Sequence, residues 1–181
     1  MQSTSFRTRI NLITVISIFA FSTNCFCQEN YCFFDTIEFT TKSDYVKYNS
    51  EIINCANWLK ETDLNRELDK RRVLNKLTLK WLLGDNPNIK FKLSVNSNVL
   101  EMMSENPQLL SLYFALVGKY ILDNPTNLNN FNATKAGLIG CVEVYQKNIG
   151  IIRTKMLEEL IYAYTNTQLD KFIVENLHIM N

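Results

Sequence analysis

Apolar residues recur three and four positions apart along most of the chain beyond residue 43, which is the spacing of an amphipathic α-helix. In residues 44–60, apolar side chains gather on one side of a helical wheel, and Lys, Ser, Glu and Asn gather on the other. The apolar side comprises Tyr45, Tyr48, Ile52, Cys55, Ala56 and Leu59. Thr41 and Ser43 offer N-cap oxygens, so the pattern predicts a helix that starts near residue 44.

The same periodicity predicts further helices, with ends marked by capping residues, glycine and proline. Thr62 or Asp63 caps a helix that stops at Gly84, where glycine suits the left-handed C′ position. Gly137 lies inside another predicted helix at a cost of about 1 kcal/mol relative to Ala, which indicates that a neighbouring helix approaches it closely. Beyond Gly84, the pattern predicts five more helices, over residues 97–105, 107–122, 132–147, 150–165 and 167–177.

Residues 107–122 are apolar on nearly every face of the predicted helix. Asn106 and Pro107 mark its start, as N-cap and first helical residue. A helix that is hydrophobic all round is buried. We therefore expect residues 107–122 to form the central helix, with the other helices packed around it.

Two segments lack helical periodicity. Residues 28–42 hold Phe33, Phe34, Ile37 and Phe39 and are expected to form an extended aromatic arm on the core. Residues 89–95 alternate between apolar and polar, which indicates an extended connector or edge piece. The predicted fold is therefore all-α: a single-domain bundle of about six or seven helices over residues 43–181, preceded by the extended arm.

The first 27 residues have a different pattern. Arg7 and Arg9 precede an apolar run over residues 10–22, and small residues follow at −3 and −1 from a junction between Cys27 and Gln28. These are the parts of a secretory signal peptide. The run is too short to span a bilayer, which takes about 20 residues. We expect a signal peptide over residues 1–27 and a secreted or periplasmic protein.

A lipoprotein signal is the alternative interpretation of this start. Cys25 and Cys27 are the candidate lipid-bearing residues, because each follows the apolar run. Neither is preceded by the Leu-small-small triplet that lipid attachment requires. We therefore expect ordinary cleavage and no lipid anchor.

Charge and composition narrow the classes of partner. Cleavage after Cys27 removes Arg7 and Arg9 and no acidic residue, which lowers the formal net charge of +1 by two. No basic excess is left to bind a phosphate backbone, and the basic residues of the helix predicted over 63–83 alternate with acidic ones, as on a solvated face. We expect no nucleic-acid partner, and no transmembrane segment after signal cleavage.

The cysteines leave two alternatives open. Cleavage after Cys27 retains Cys32, Cys55 and Cys141. An oxidising compartment permits a disulfide, for which Cys32 and Cys55 are the candidate pair. Alternatively, the thiols are buried and pack as small hydrophobic groups.

The sequence contains few residues suited to catalysis. His178 is the only histidine and lies near the end of the chain, which excludes histidine-based triads and multi-histidine metal sites. Glu101 and Glu105 are the remaining candidates, either as an acid and base of a hydrolase or as ordinary solvated glutamates. We assign no catalytic, cofactor-binding or metal-ligating residue and expect a protein that is not an enzyme and needs no cofactor.

Two positions are candidates for contact or modification. Trp58 falls on the polar side of its predicted helix, so it is a candidate for contact with a partner or ligand; alternatively, the aromatic arm covers it. Asp35-Thr36-Ile37 matches the short Asp-Thr-aliphatic pattern that some bacteria O-glycosylate on exported proteins. Thr36 is therefore a candidate glycosylation site.

The order of features between Lys76 and Phe172 resembles that of small secreted, all-helical bacterial proteins without an established activity. The motifs are Lys80-Trp81-Leu82-Leu83-Gly84 with Pro87, Asn106-Pro107-Gln108-Leu109-Leu110 followed by Tyr113, Ala115, Lys119-Tyr120 and Leu122, and Leu169-Asp170-Lys171-Phe172. The resemblance implies export and a helical fold. It implies no catalytic residues.

These observations lead to three functional hypotheses. The first is an exported helical protein that binds a macromolecular partner, for example an immunity-type protein or a component of the cell envelope. The second is a carrier that holds a small apolar ligand around Tyr113, Phe114, Tyr120 and Tyr164. The third, the least favoured, is a hydrolase that uses the carboxylate of Glu101 or Glu105.

Overall fold

The computed structural model describes residues 31–89, 96–126, 128–147 and 151–180, and within them the chain is helical without β-strands, as predicted. The helices are α1 (Cys32–Asp35), α2 (Lys42–Lys47), α3 (Asn49–Glu61), α4 (Leu68–Leu83), α5 (Ser97–Met102), α6 (Pro107–Asp123), α7 (Asn130–Lys147), α8 (Lys155–Thr165) and α9 (Leu169–Leu177). The first 27 residues and the alternating residues 90–95 lie outside the described ranges.

Helix α6 is the centre of the structure, which confirms the predicted central helix. It packs against α3, α4 and α7. Its buried side chains point in every direction around the helix axis: Leu109, Leu112, Tyr113, Phe114, Ala115, Leu116, Val117 and Ile121. Burial on all sides explains why this segment carries so few polar residues.

The contact between α6 and α7 depends on two glycines. A Cβ atom built at Gly137 would lie 2.7 Å from the Tyr113 ring and 3.0 Å from Val117, and one built at Gly140 would collide with Leu116. Since real Cβ contacts are longer, both positions need glycine at the present helix separation. The close approach predicted from Gly137 is confirmed.

Gly84 has a different role from the one predicted. Its backbone is extended, with φ −84° and ψ −175°, so the expected left-handed conformation is wrong. A Cβ there would overlap the hydroxyl of Tyr45. Glycine is therefore required by the packing of Tyr45, whose carbonyl also accepts a 3.1 Å hydrogen bond from Nε1 of the buried Trp81.

The helix expected over residues 44–60 is broken in two at Tyr48. Tyr48 has φ −102° and ψ 14°, between α2 and α3. Asp44 caps the start of α2, because its Oδ2 accepts hydrogen bonds from the backbone N–H groups of Thr41 at 2.7 Å and Thr40 at 3.0 Å. These hydrogen bonds lower the pKa of the Asp44 carboxyl.

The N-terminal segment, residues 31–41, is only partly extended. Cys32–Asp35 forms one helical turn, closed by a 3.1 Å hydrogen bond from the Thr36 N–H to the Phe33 carbonyl, so the arm predicted over 28–42 is wrong at this turn. Beyond it, Ile37 is buried and Phe39 stacks on Tyr45 at 4.8 Å between ring centroids. Phe34 and Phe39 do pack against the core, as expected, whereas Phe33 is exposed.

The last two helices form a hairpin with a strained turn. Thr167, expected to cap the terminal helix, is instead in the left-handed region at φ 56°. The turn is closed by a 2.7 Å hydrogen bond from the Gln168 N–H to the Ala163 carbonyl. Both helices of the hairpin pack against α7.

Candidate functional site

Arg71, in the first turn of α4, is a buried cation whose guanidinium lies against the C-terminal end of α3. It was expected on a solvated face, but only 2 % of it is exposed. Its guanidinium donates hydrogen bonds to the carbonyls of Leu59 at 3.2 Å, Thr62 at 2.6 Å and Asp63 at 3.0 Å. These carbonyls belong to the last turn of α3 and the residues after it, so Arg71 satisfies groups that a helix end leaves unpaired. Burial lowers the pKa of the guanidinium.

Trp58 lies beside Arg71 and is half-buried. The Lys70 ammonium sits 4.4 Å from the centre of the Trp58 ring, and the Arg71 guanidinium carbon sits 5.5 Å from it. Both distances suit cation–π contacts. Two cations from α4 therefore lie against the ring. A partner contact at Trp58 remains a prediction.

An apolar groove runs between α4 and the first turns of α6. We call it the α4–α6 groove; its volume is about 740 Å³. Leu68 and Leu83 are 56 % and 59 % exposed, and Leu79 lies between them with one side on the core. The complete lining is Leu68, Arg71, Arg72, Asn75, Lys76, Leu79, Lys80, Leu83, Gln108 and Ser111.

Basic side chains among the lining residues are paired with carboxylates of the N-terminal segment. Lys76 lies 2.6 Å from Asp35, and Lys80 lies 2.6 Å from Glu38 while also donating to the carbonyl of Ile37 at 3.3 Å. The Lys76 ammonium lowers the pKa of the Asp35 carboxyl. Lys76 and Lys80, at the rim of the groove, therefore already form ion pairs with acidic side chains of the same chain.

A smaller cleft of about 170 Å³ continues the groove past Gln108, which lines both. Leu64 and Leu109 lie in this cleft with Ile152, which is 53 % exposed. Asn106 fixes the Ile152 backbone, donating to its carbonyl and accepting from its N–H at 2.9 Å each. These two hydrogen bonds fix the position of Ile152 and with it the apolar surface at this end of the groove.

The carrier hypothesis places an apolar ligand around Tyr113, but in the structure other side chains and the backbone of α7 pack against the Tyr113 ring. The Tyr113 ring packs on Gly137 and meets Phe114 edge-on, with 5.3 Å between ring centroids. Its hydroxyl lies 3.4 Å from that of Thr134. Tyr120 and Tyr164 are only partly buried. The carrier hypothesis remains a prediction, without a described cavity to support it.

The cysteines in the described part of the chain, Cys32, Cys55 and Cys141, are free thiols. Cys32 is exposed on α1, whereas Cys55 and Cys141 are buried in the core, so the candidate disulfide between Cys32 and Cys55 is not formed in this structure. Burial raises the pKa of Cys55 to about 12 and also raises the pKa of Cys141. Both buried thiols therefore stay protonated at neutral pH and pack as small hydrophobic groups.

The other candidate residues, Glu101, Glu105 and Thr36, are exposed on the surface. Glu101 is on α5, and Glu105 lies beyond its end in the small cleft. Among the described residues, no group of three or more histidine, cysteine or acidic side chains is arranged to hold a metal ion. Thr36 is exposed and its hydroxyl donates to the Phe33 carbonyl at 2.8 Å. Glycosylation of Thr36 remains a prediction.

No protein-family model, curated protein or solved structure matches the chain. Within the part that the structure describes, no helix combines the length and apolar character needed to cross a membrane.

Sequence reasoning missed the α4–α6 groove, although the signal for it is present. Leu68, Arg72, Asn75, Leu79 and Leu83 are three or four residues apart and share one face of α4. The opposite face carries Val73, Leu74, Leu77 and Trp81. Apolar residues on two faces of one helix indicate two contact surfaces. In α4, only the face with Trp81 packs into the core.

Proposed function

We propose that the chain is an exported, non-enzymatic helical protein that binds a partner protein in the α4–α6 groove. The observation that carries the proposal is the pair Leu68 and Leu83, each more than half exposed on the wall of one groove. Large apolar side chains grouped on a surface and rimmed by polar residues mark interaction sites. Export is supported by the signal-peptide pattern of residues 1–27.

The shape of the groove favours an amphipathic helix as the occupant. Leu68 and Leu83 are fifteen positions apart on a continuous helix, which corresponds to about 22 Å. A partner helix of about four turns with apolar residues at helical spacing would cover this length, in the helix-in-groove mode of recognition.

The rim favours acidic side chains on that partner helix. Lys76 and Lys80 already bind carboxylates within the chain, at 2.6 Å from Asp35 and Glu38. Both ion pairs are solvent-accessible, so each contributes little and can be exchanged for another carboxylate. An acidic, amphipathic helix therefore matches both the apolar wall and the charged rim.

Photo-crosslinking in the producing cell tests this proposal. A photoreactive residue placed at Leu83 should capture one partner protein from the cell envelope, and the same residue at the equally exposed Val46 should not. Leu68→Ser in the same chain should lower recovery about tenfold, because it removes an apolar contact worth 1.5–3 kcal/mol when fully buried.

Met180→Ser is the matched control, because Met180 is 77 % exposed and does not line the groove. It should leave recovery unchanged. Equal recovery from the Leu68→Ser and Met180→Ser proteins, or the same product from Leu83 and Val46, would refute binding in the groove.

A further inference from the structure

A second groove, of about 600 Å³, lies between α8 and α9 and has a different chemistry. We call it the α8–α9 groove. It shares no lining residue with the α4–α6 groove. Its floor is made of the buried Ala163 and Phe172, and its volume is within the range of small-molecule sites.

An aromatic ring stands exposed on the wall of this groove. Tyr162 is 63 % exposed. Tyrosine is amphipathic, with a flat apolar ring and a polar hydroxyl, so an exposed ring can pack against a ligand while its hydroxyl stays in water. A ligand suited to Tyr162 would have a flat apolar face of its own.

The remaining lining is polar and nearly balanced in charge. It contains three carboxylates, two ammonium groups and two amides, from Glu158, Glu159, Glu175, Lys155, Lys171, Gln168 and Asn176. Such a set offers hydrogen-bond donors and acceptors together without a strong field of either sign. It suits a neutral ligand with many hydroxyl groups better than a phosphate or a cation.

Glu158 is held in position for such a ligand. The Tyr145 hydroxyl donates to its Oε1 at 3.0 Å, and the Arg153 guanidinium lies 3.4 Å from the same oxygen. Since both contacts use Oε1, the carboxylate is oriented while Oε2 can accept from a hydroxyl. Fixing an acceptor before binding reduces the entropy lost on binding.

We propose that the α8–α9 groove is a binding site for an uncharged oligosaccharide. The flat C–H face of one sugar ring stacks on Tyr162, and the hydroxyls at its edge hydrogen-bond to Glu158 and the facing polar side chains. Sugar hydroxyls both donate and accept, so one ligand can satisfy carboxylates, ammonium groups and amides at once.

Titration of the purified exported protein with two trisaccharides, one of N-acetylglucosamine and one of glucose, tests the proposal by calorimetry. At least one should bind, and Tyr162→Ala should weaken its binding about tenfold or more. Tyr162→Phe keeps the ring and should retain binding within about threefold. Glu158→Gln, which loses a carboxylate oxygen, should weaken binding measurably.

Phe33→Ala is the matched control, since Phe33 is 58 % exposed and lies on α1, outside the groove. It should bind the trisaccharide as the unaltered protein does. Unchanged binding by the Tyr162→Ala protein, or no binding of either trisaccharide, would overturn the proposal. Leu68→Ser should not affect this titration, so the saccharide site and the partner groove succeed or fail independently.

Discussion

The Arg71 side chain stabilises the turn that connects α3 and α4. Three carbonyls at the end of α3 and in the turn after it converge on its guanidinium, and the Trp58 ring lies against it. α4 begins at Leu68, not near residue 63 as predicted, because residues 62–67 form this turn. The backbone of Glu67 is left-handed there, at φ 47°.

Arg71→Met should destabilise the protein by about 2–3 kcal/mol. The substitution removes the charged donor but leaves three buried or half-buried carbonyls without their hydrogen bonds, which costs more than the lost attraction alone. The free energy of unfolding in urea measures the effect.

The neighbouring Arg72 provides the control for this substitution. Its side chain is 78 % exposed and pairs with Asp69, at 3.3 Å. Arg72→Met should therefore change stability by less than about 0.5 kcal/mol. Equal losses from the two substitutions would show that Arg71 does not cap α3.

Helical spacing separates Arg71 from Arg72, because Arg71 lies three and eleven positions before the buried Leu74 and Leu82, whereas Arg72 shares the outer face of α4 with Leu68. It does not identify the partners of the buried cation, since the carbonyls that bind Arg71 come from the end of another helix. Contacts of this kind depend on tertiary packing, which no local pattern encodes. The hydrogen bonds of Arg71, and with them the start of α4, could be found only from the structure.

At the scale of the helices, one glycine at the α6–α7 contact and one where α6 faces α4 give a matched pair of substitutions. Gly137→Ala should destabilise by about 1–3 kcal/mol, because its Cβ would lie 2.7 Å from the Tyr113 ring and overpacking outweighs the better helix propensity of Ala. Gly118→Ala should be neutral or stabilise by up to about 1 kcal/mol, since its Cβ would meet Trp81 at an ordinary 3.5 Å.

Thermal unfolding of the two alanine variants measures the difference. A lower melting temperature for Gly137→Ala and an unchanged or higher one for Gly118→Ala is the expected result. If the two variants melted at the same temperature, the contact between α6 and α7 would not be as tight as the structure has it.

Helices with a strong period were predictable, and their ends were less so. Helix α6, apolar all round and started by Asn106 and Pro107, matches its prediction to within a residue at its end. The break at Tyr48 and the turn at Thr167 were missed, since apolar periodicity continues through Tyr48 and threonine does not favour φ > 0. Of the candidate site residues, Trp58 lies near the α4–α6 groove through its contact with Arg71, and Glu105 lines the small cleft that continues the groove.

At the scale of the whole molecule, the central helix allows two surfaces to differ in chemistry. α6 buries the inner faces of α3, α4 and α7, and α7 in turn supports the α8–α9 hairpin. The exposed leucines of α4 and the walls of the hairpin are left outside this core, although α1 contacts α4. One surface is apolar with a basic rim and the other is polar around one aromatic ring, which suits two different ligands.

The core that supports these surfaces should be sensitive to alkaline pH. Burial raises the pKa of Cys55 from 9.0 to about 12 and that of Tyr113 from 10.0 to about 12, and it raises the pKa of Cys141 as well. Between the unfolded and folded pKa values, these groups are ionised in the unfolded chain and protonated in the folded one. The unfolded chain then binds fewer protons, so stability is fully present below about pH 9 and is lost as the pH rises towards 12.

Urea unfolding at several pH values between 8 and 11 measures this loss, which should approach about 1.4 kcal/mol per pH unit for each thiol above its unfolded pKa. The double variant Cys55→Ala/Cys141→Ala should be less stable at pH 8 because of the cavities, but its stability should fall less steeply between pH 9 and 10. Cys32 is exposed, so Cys32→Ala should follow the unaltered protein at every pH. Parallel pH profiles for all three proteins would show that the buried thiols do not cause the alkaline loss.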